Sequence, residues 1–189
     1  MPRTFKYDIL SQIKTRWSSR ALSSEKIPHD DIAALFEAAR YAPSCFNEQP
    51  WLFIVADNET SLAAARLALT PSNAVWADKA PVLVIICAKK TFSMNNKDNG
   101  WHQFDAGTAW GYLTLEAERR GIIAHGMAGF DKDAARKQFD IPKEYDIIAM
   151  AALGRPGDKK ELPMELQERE EPGTRKELDE IVHYGVFRK

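Results

Sequence analysis

The sequence predicts a three-layer sandwich of the α+β or α/β class, on three observations. Helical patterns come first, and strands then interleave with helices. One run, Val82-Leu83-Val84-Ile85-Ile86-Cys87, is apolar at every position and fits a strand covered on both faces. No G-x-G-x-x-G follows the first strand, so the doubly wound dinucleotide-binding fold lacks its main support.

The elements follow in order. Residues 8–15 place Ile9, Leu10 and Ile13 on one helical face, leading into Arg16-Trp17-Ser18-Ser19-Arg20. After Pro28, Ile32, Leu35, Phe36 and Ala39 recur at helical spacing, with Asp30 and Asp31 in the favourable first turn and Pro43 as the stop. Residues 51–55 read as a strand, 61–69 as a helix, and the run from Val82 as the central strand. The polar stretch 92–100 is either a disordered connection or a lid. Residues 104–120 form the clearest helix, with Ala106, Ala109, Trp110, Leu113 and Ala117 as its buried stripe and Gly121 as a left-handed cap. A strand from Ile122 ends near Gly129, Asp131 caps a helix over 132–139, and 147–153 is a last apolar strand. The final thirty residues turn polar, yet end on Ile181-Val182-His183-Tyr184-Gly185-Val186-Phe187. That ending predicts an arm that crosses a surface and docks, as an edge strand.

The 189 residues suit one domain, 1–189, with about 160–189 as the arm. A net charge of -1 argues against general affinity for nucleic acid or anionic membrane. Cys45 and Cys87 form neither a disulfide framework nor a zinc pattern, and no signal peptide or membrane-length apolar run is seen, so the expected location is cytoplasmic.

Four constellations could carry chemistry. In Arg16-x-Ser18-x-Arg20, alternation points two guanidinium groups and a hydroxyl to one face. That suits a phosphate monoester, although basic residues after a helix also serve merely to compensate its dipole. Pro43-Ser44-Cys45-Phe46-Asn47-Glu48-Gln49-Pro50 is a proline-framed loop. Its neutral donors and acceptors could read the edge of a planar heteroaromatic ring, or it is an ordinary turn. Ala124-His125-Gly126-Met127-Ala128-Gly129 is a strand end whose glycines admit a close ligand, with His125 a general acid or a structural residue. Arg175-Lys176 could complete a phosphate site or sit exposed. No G-x-S-x-G elbow, Walker loop or H-E-x-x-H is present. Ring-edge and phosphate donors without a nucleophile fit a cofactor that brings its own chemistry.

In this order, the pieces resemble the nitroreductase family of flavoproteins from about Tyr7 to Val186. Arg16-Trp17-Ser18-Ser19-Arg20 followed by Ala42-Pro43-Ser44 and Asn47-x-Gln49-Pro50-Trp51 is the most specific part. Gly129-Phe130-Asp131, Leu153-Gly154-Arg155-Pro156 and Arg175-Lys176-x-Leu178 add support. The resemblance implies an α+β three-layer sandwich with a mainly antiparallel sheet flanked by helices. It also implies a homodimer that exchanges C-terminal arms and binds FMN in clefts between the subunits. By position, Arg16, Trp17 and Ser18 look like phosphate-site residues joined by Arg175, and Arg20 lies by the N1 and C2 carbonyl edge of the ring. Pro43, Ser44 and Asn47 match the loop that reaches the other subunit's flavin. Ala124, His125 and Gly126 match the strand end beside the ring, and the Gly129 N–H is a candidate donor to N5. The chain departs from many members in having Gly126-Met127-Ala128-Gly129 where they have Pro-Ile-Glu-Gly, so Ala128 brings no carboxylate. Phe92 and Trp101, within 91–103, would stack on an aromatic substrate or pack in the core or interface.

The implied activity takes hydride from NADH or NADPH and reduces a small electron-poor acceptor, a nitroaromatic or quinone, by a ping-pong route at one open flavin face, with no catalytic side chain. Two other readings stand beside it. One is a non-redox module for another phosphorylated ligand. The other is a flavin enzyme of specialised chemistry, such as reductive dehalogenation or flavin fragmentation.

Overall fold

A strand with no polar position has no face to turn toward water, and the computed structural model, which describes residues 3–187, places it inside a four-stranded sheet. β1 (Trp51–Ala56) and β4 (Tyr145–Gly154) flank β2 (Val82–Lys89), and β3 (Ile123–Met127) lies outside β4, in the order β1-β2-β4-β3. Every pairing is antiparallel. This decides between the two classes the sequence left open in favour of α+β.

Strand periodicity divides β2 between two cores. Val82, Val84 and Ile86 face a layer made by α2 (His29–Arg40) and α5 (His102–Arg119), through Ile32, Leu35, Ala39, Ala109, Leu113 and Ala117. Leu83, Ile85 and Cys87 face the opposite layer of α3 (Glu59–Arg66), α4 (Pro71–Ala77) and α6 (Lys132–Gln138), through Ala65, Trp76, Ala77 and Ala135. Leu35 and Leu113 are fully buried, and truncating such a leucine to alanine costs about 2–5 kcal/mol.

Most boundaries follow local chemistry. Asn58 and Asp131 cap α3 and α6 by accepting backbone N–H bonds, and Gly121, at φ +65°, follows α5. Several expectations need correction. The first helix, α1 (Ser11–Thr15), is shorter than 8–15, α3 ends at Arg66, and α4 has no counterpart in the sequence reading. It is seven residues long and opens on Pro71, too short to show a helical apolar period. The 92–100 stretch is a hydrogen-bonded turn rather than a disordered connection. Thr91 bridges Asp98, Phe92 N–H donates to Lys97 O at 2.8 Å, and Asn99 is buried. Among the described residues, the C-terminal segment forms no strand on its own chain. α7 (Met164–Gln167) and α8 (Leu178–Ile181) are single short turns, and 171–187 is exposed throughout. No helix among the described residues is long and apolar enough to cross a membrane.

Candidate functional site

The segment after α1 is held by the sheet end and by one buried carboxylate. Leu22 bridges Pro156, Ser23 N–H donates to Arg155 O, and Gly157 N–H donates to Ala21 O, the last two at 2.8 Å. Position 157 must be glycine, because a Cβ there would lie 2.7 Å from the backbone carbonyl carbon of Leu22. From the other side, Glu170 Oε1 accepts from Ser19 Oγ at 2.5 Å, from Arg20 N–H at 2.7 Å and from Ala21 N–H at 2.9 Å. Ser19 is thereby buried, and Arg16, Trp17, Ser18 and Arg20 are all half-buried. The second carboxylate oxygen of Glu170 is buried without a hydrogen bond, 4.0 Å from Arg20 Nη1.

Arg16 does not stand alone. Burial first, then the nearby charges of Arg175 and Arg3, hold its guanidinium below the usual arginine range, with Glu118 partly countering. Arg3 is depressed likewise, by burial and then Arg175, and its Nη1 donates to Arg16 O at 2.8 Å. The exposed Arg175 thus shares a neighbourhood with Arg16 despite lying in the distant arm. Arg3, Arg16 and Arg175 are thus three like charges near one acid, Glu118.

The strand end lies beside this segment. His125 is buried, its ring centroid 4.4 Å from that of Trp76, and its Nδ1 lies 3.0 Å from Ser19 O. A carbonyl only accepts, so Nδ1–H is the donor. Burial pushes this histidine below its ordinary value. Of the two roles the sequence left open, the geometry supports the structural one. Ala124 is buried in the core of α2 and α5, whereas Gly126 and Gly129 are exposed. A Cβ on Gly126 would come within 3.3 Å of the Trp110 ring. Gly129 O accepts from Thr70 Oγ1 at 2.8 Å and from Asn73 Nδ2 at 2.6 Å, which fixes the Gly129–Phe130 peptide. Gly129 N–H, in the preceding peptide, has no acceptor among the described residues.

The proline-framed loop is built differently. Ser44 Oγ accepts from Gln49 N–H at 3.0 Å across a 3-10 turn, Cys45–Asn47, and Phe46, Asn47 and Gln49 take φ values of +52°, +57° and +51°. Pro43 and Asn47 are exposed, and Ser44 is half-buried. Cys45 N–H donates to the buried Asp105 at 3.1 Å, and Glu48 accepts from Ser93 N–H at 2.8 Å. Phe46, 83% exposed, meets Phe92 edge-on at 5.9 Å. Trp101 is exposed beside Phe104. Asp105 lies in the first turn of α5, whereas Glu118, which faces Arg3 and Arg16, lies near its end, about 20 Å further along the helix axis. One chain therefore anchors the two motifs at opposite ends of its longest helix.

Sequence reasoning missed Arg3, Thr70, Asn73 and Glu170. Thr70-Pro71 carries a helix-start signal; the other three depend on contacts that no local pattern encodes. A cavity of about 330 Å³, lined by Gln103, Lys132, Asp133, Arg136 and Asp146, shares no residue with the expected site.

Comparison with known proteins places the chain in a family. The family model described as the nitroreductase family matches residues 13–70 and 60–155. A protein of Archaeoglobus fulgidus, named for NADH dehydrogenase and NAD(P)H nitroreductase, is 30% identical over 82% of this chain and 88% of its own. An iodotyrosine deiodinase of Thermotoga neapolitana is 24% identical over 82% of this chain and 90% of its own. The crystal structure of an oxidoreductase containing FMN superposes with a TM-score of 0.93, at 34% identity, over 98% of this chain and 96% of that one. By its motifs, its sheet and these matches, the chain belongs to the nitroreductase family.

Proposed function

We propose that the chain is an FMN-dependent oxidoreductase that works as a homodimer, takes hydride from NADH or NADPH and reduces a small electron-poor acceptor, a nitroaromatic or a quinone. The observation that carries this reading is the cluster of Arg16, Arg3 and Arg175, whose mutual repulsion an anion would relieve, close to a strand end with a free peptide N–H. The residues fit FMN. Arg16, Ser18 and Arg175 would hold its phosphate, with Trp17 in the same segment, and Arg20 would favour negative charge at the N1 and C2 carbonyl edge. Gly126, where a Cβ would meet the Trp110 ring, leaves the strand end open to a close ligand, and Gly129 N–H would be a donor to N5. FMN, when bound, supplies the acceptance and return of hydride that no side chain here provides. Ala128 carries no acid, so protons come from solvent. A ping-pong sequence, in which the donor leaves before the acceptor binds, would need no second binding site on this chain.

Three observations favour the homodimer. The loop bearing Pro43, Ser44 and Asn47 sits at the far end of α5 from Arg16, in place to serve a second copy's site. Gly107 and Gly111 lie inside α5 with nothing near a would-be Cβ, beside the exposed Phe104 and Tyr112. Interior glycines each cost about 1 kcal/mol relative to alanine, which close approach of another helix would offset. The arm also exposes Ile181, Val182, Tyr184 and Phe187, apolar groups that a partner would cover. Anaerobic addition of NADH or NADPH to FMN-loaded protein should bleach the flavin absorbance, and a quinone or nitroaromatic should restore it. A flavin that stays oxidised with both donors rejects the redox reading, and protein that takes up no FMN favours a module for another phosphorylated ligand. Bleaching followed by reoxidation only with a halogenated phenol would move the chain to dehalogenation.

A further inference from the structure

We propose that Arg3 is a third guanidinium contact of the phosphate site, reaching it through its Nε–H and Nη2–H edge and strengthening its preference for a charged monoester. The inference rests on the FMN reading and extends it to a residue outside the Arg16-x-Ser18-x-Arg20 motif.

The edge geometry of the guanidinium carries the argument. Arg3 spends Nη1 on two carbonyls at the end of α1, Arg16 O at 2.8 Å and Lys14 O at 3.4 Å. Those bonds alone would make Arg3 a cap for a short helix. They leave the opposite edge, Nε–H and Nη2–H, without an acceptor among the described residues, and Nε is buried. That pair of parallel donors is the fork that grips an oxyanion side-on. A buried donor without a partner is costly, so an edge held this way is set up for a ligand.

The charges agree with the geometry. Arg16 and Arg175 face the same region, Glu118 is the acid that acts on both Arg3 and Arg16, and Lys14 is occupied by Asp8 at 2.6 Å. Three guanidinium groups and one carboxylate leave an excess that a dianionic monoester neutralises and an uncharged ribityl chain does not.

The test is a fluorescence titration of flavin-stripped full-length protein with FMN and with riboflavin, the same ring without phosphate. Wild type, Arg3→Gln, Arg3→Lys and Arg16→Ala are compared at fixed ionic strength. Glutamine can still donate to the Arg16 carbonyl but has no charge and no fork. Arg3→Gln should weaken FMN about tenfold and leave riboflavin unchanged, with Arg3→Lys in between. Inorganic phosphate should compete with FMN less effectively in Arg3→Gln than in wild type. An unchanged ratio of FMN to riboflavin affinity in both Arg3 variants overturns the proposal and makes Arg3 a cap only. If Arg16→Ala loses FMN while the Arg3 variants keep it, this inference alone fails. If wild type itself does not prefer FMN to riboflavin, the phosphate reading of the whole site fails, and this inference with it.

Discussion

The two motifs that mark this chain are held in opposite ways. The 16–23 segment is pinned from two sides, by the end of β4 through Arg155, Pro156 and Gly157 and by the buried Glu170. The 43–50 loop is exposed over much of its length, and three of its residues adopt left-handed backbone conformations stabilised by short-range bonds. On the proposed reading, the first would hold the phosphate end within one chain, and the second would be a shape presented outward to a second copy.

This contrast predicts effects of very different size. Glu170→Ala should be the largest, because it strands Ser19 Oγ and the N–H groups of Arg20 and Ala21 in a buried place. A loss of about 3 kcal/mol in denaturant unfolding is expected, together with weaker FMN binding. A loss under about 1 kcal/mol would mean that the 155–157 contacts suffice and the two-sided clamp is unnecessary. Phe46→Gly should change stability by only about 0.5 kcal/mol, since relief of a positive φ offsets the extra freedom of glycine when unfolded. Its effect should instead appear in turnover by the assembled enzyme, and a large destabilisation would show that the loop is a folding element after all.

The smallest effect is pH dependence from His125. Burial first lowers its folded value below the ordinary 6.5, so the unfolded chain binds a proton the folded chain refuses. Its contribution is fully present above pH 6.5 and declines as pH falls from there toward the folded value. Melting temperature in wild type should therefore fall across this window more than in His125→Gln. Equal profiles would detach His125 from the fixed region.

What could be read in advance followed the range of the interactions. β2 and α5 were legible because apolar periodicity records which faces are covered, and Asp131 because a cap acts within three residues. Arg16, Ser18 and Arg20 could be picked out as candidates because their spacing is local. Glu170 was not, since its partner Ser19 lies 151 positions away in the chain. Arg3 and Asn73 stayed hidden for the same reason, each acting on a peptide brought near by the fold. The C-terminal segment shows the converse limit. Its apolar alternation suggested a strand, yet residues 181–187 pair with no strand of the same sheet, and a pairing partner on another chain is not written in a local pattern.

The two cysteines have a practical consequence. Cys87 is wholly enclosed in the central strand, and desolvation pushes its thiol up to about 11, so alkylating reagents meet it neither exposed nor ionised. Cys45 is half-buried in the 43–50 loop beside Ser44. The natural sequence thus offers a single attachment point for a fluorophore or spin label, already seated on the loop assigned to the second copy. Its shielding with protein concentration would follow assembly without any engineered residue.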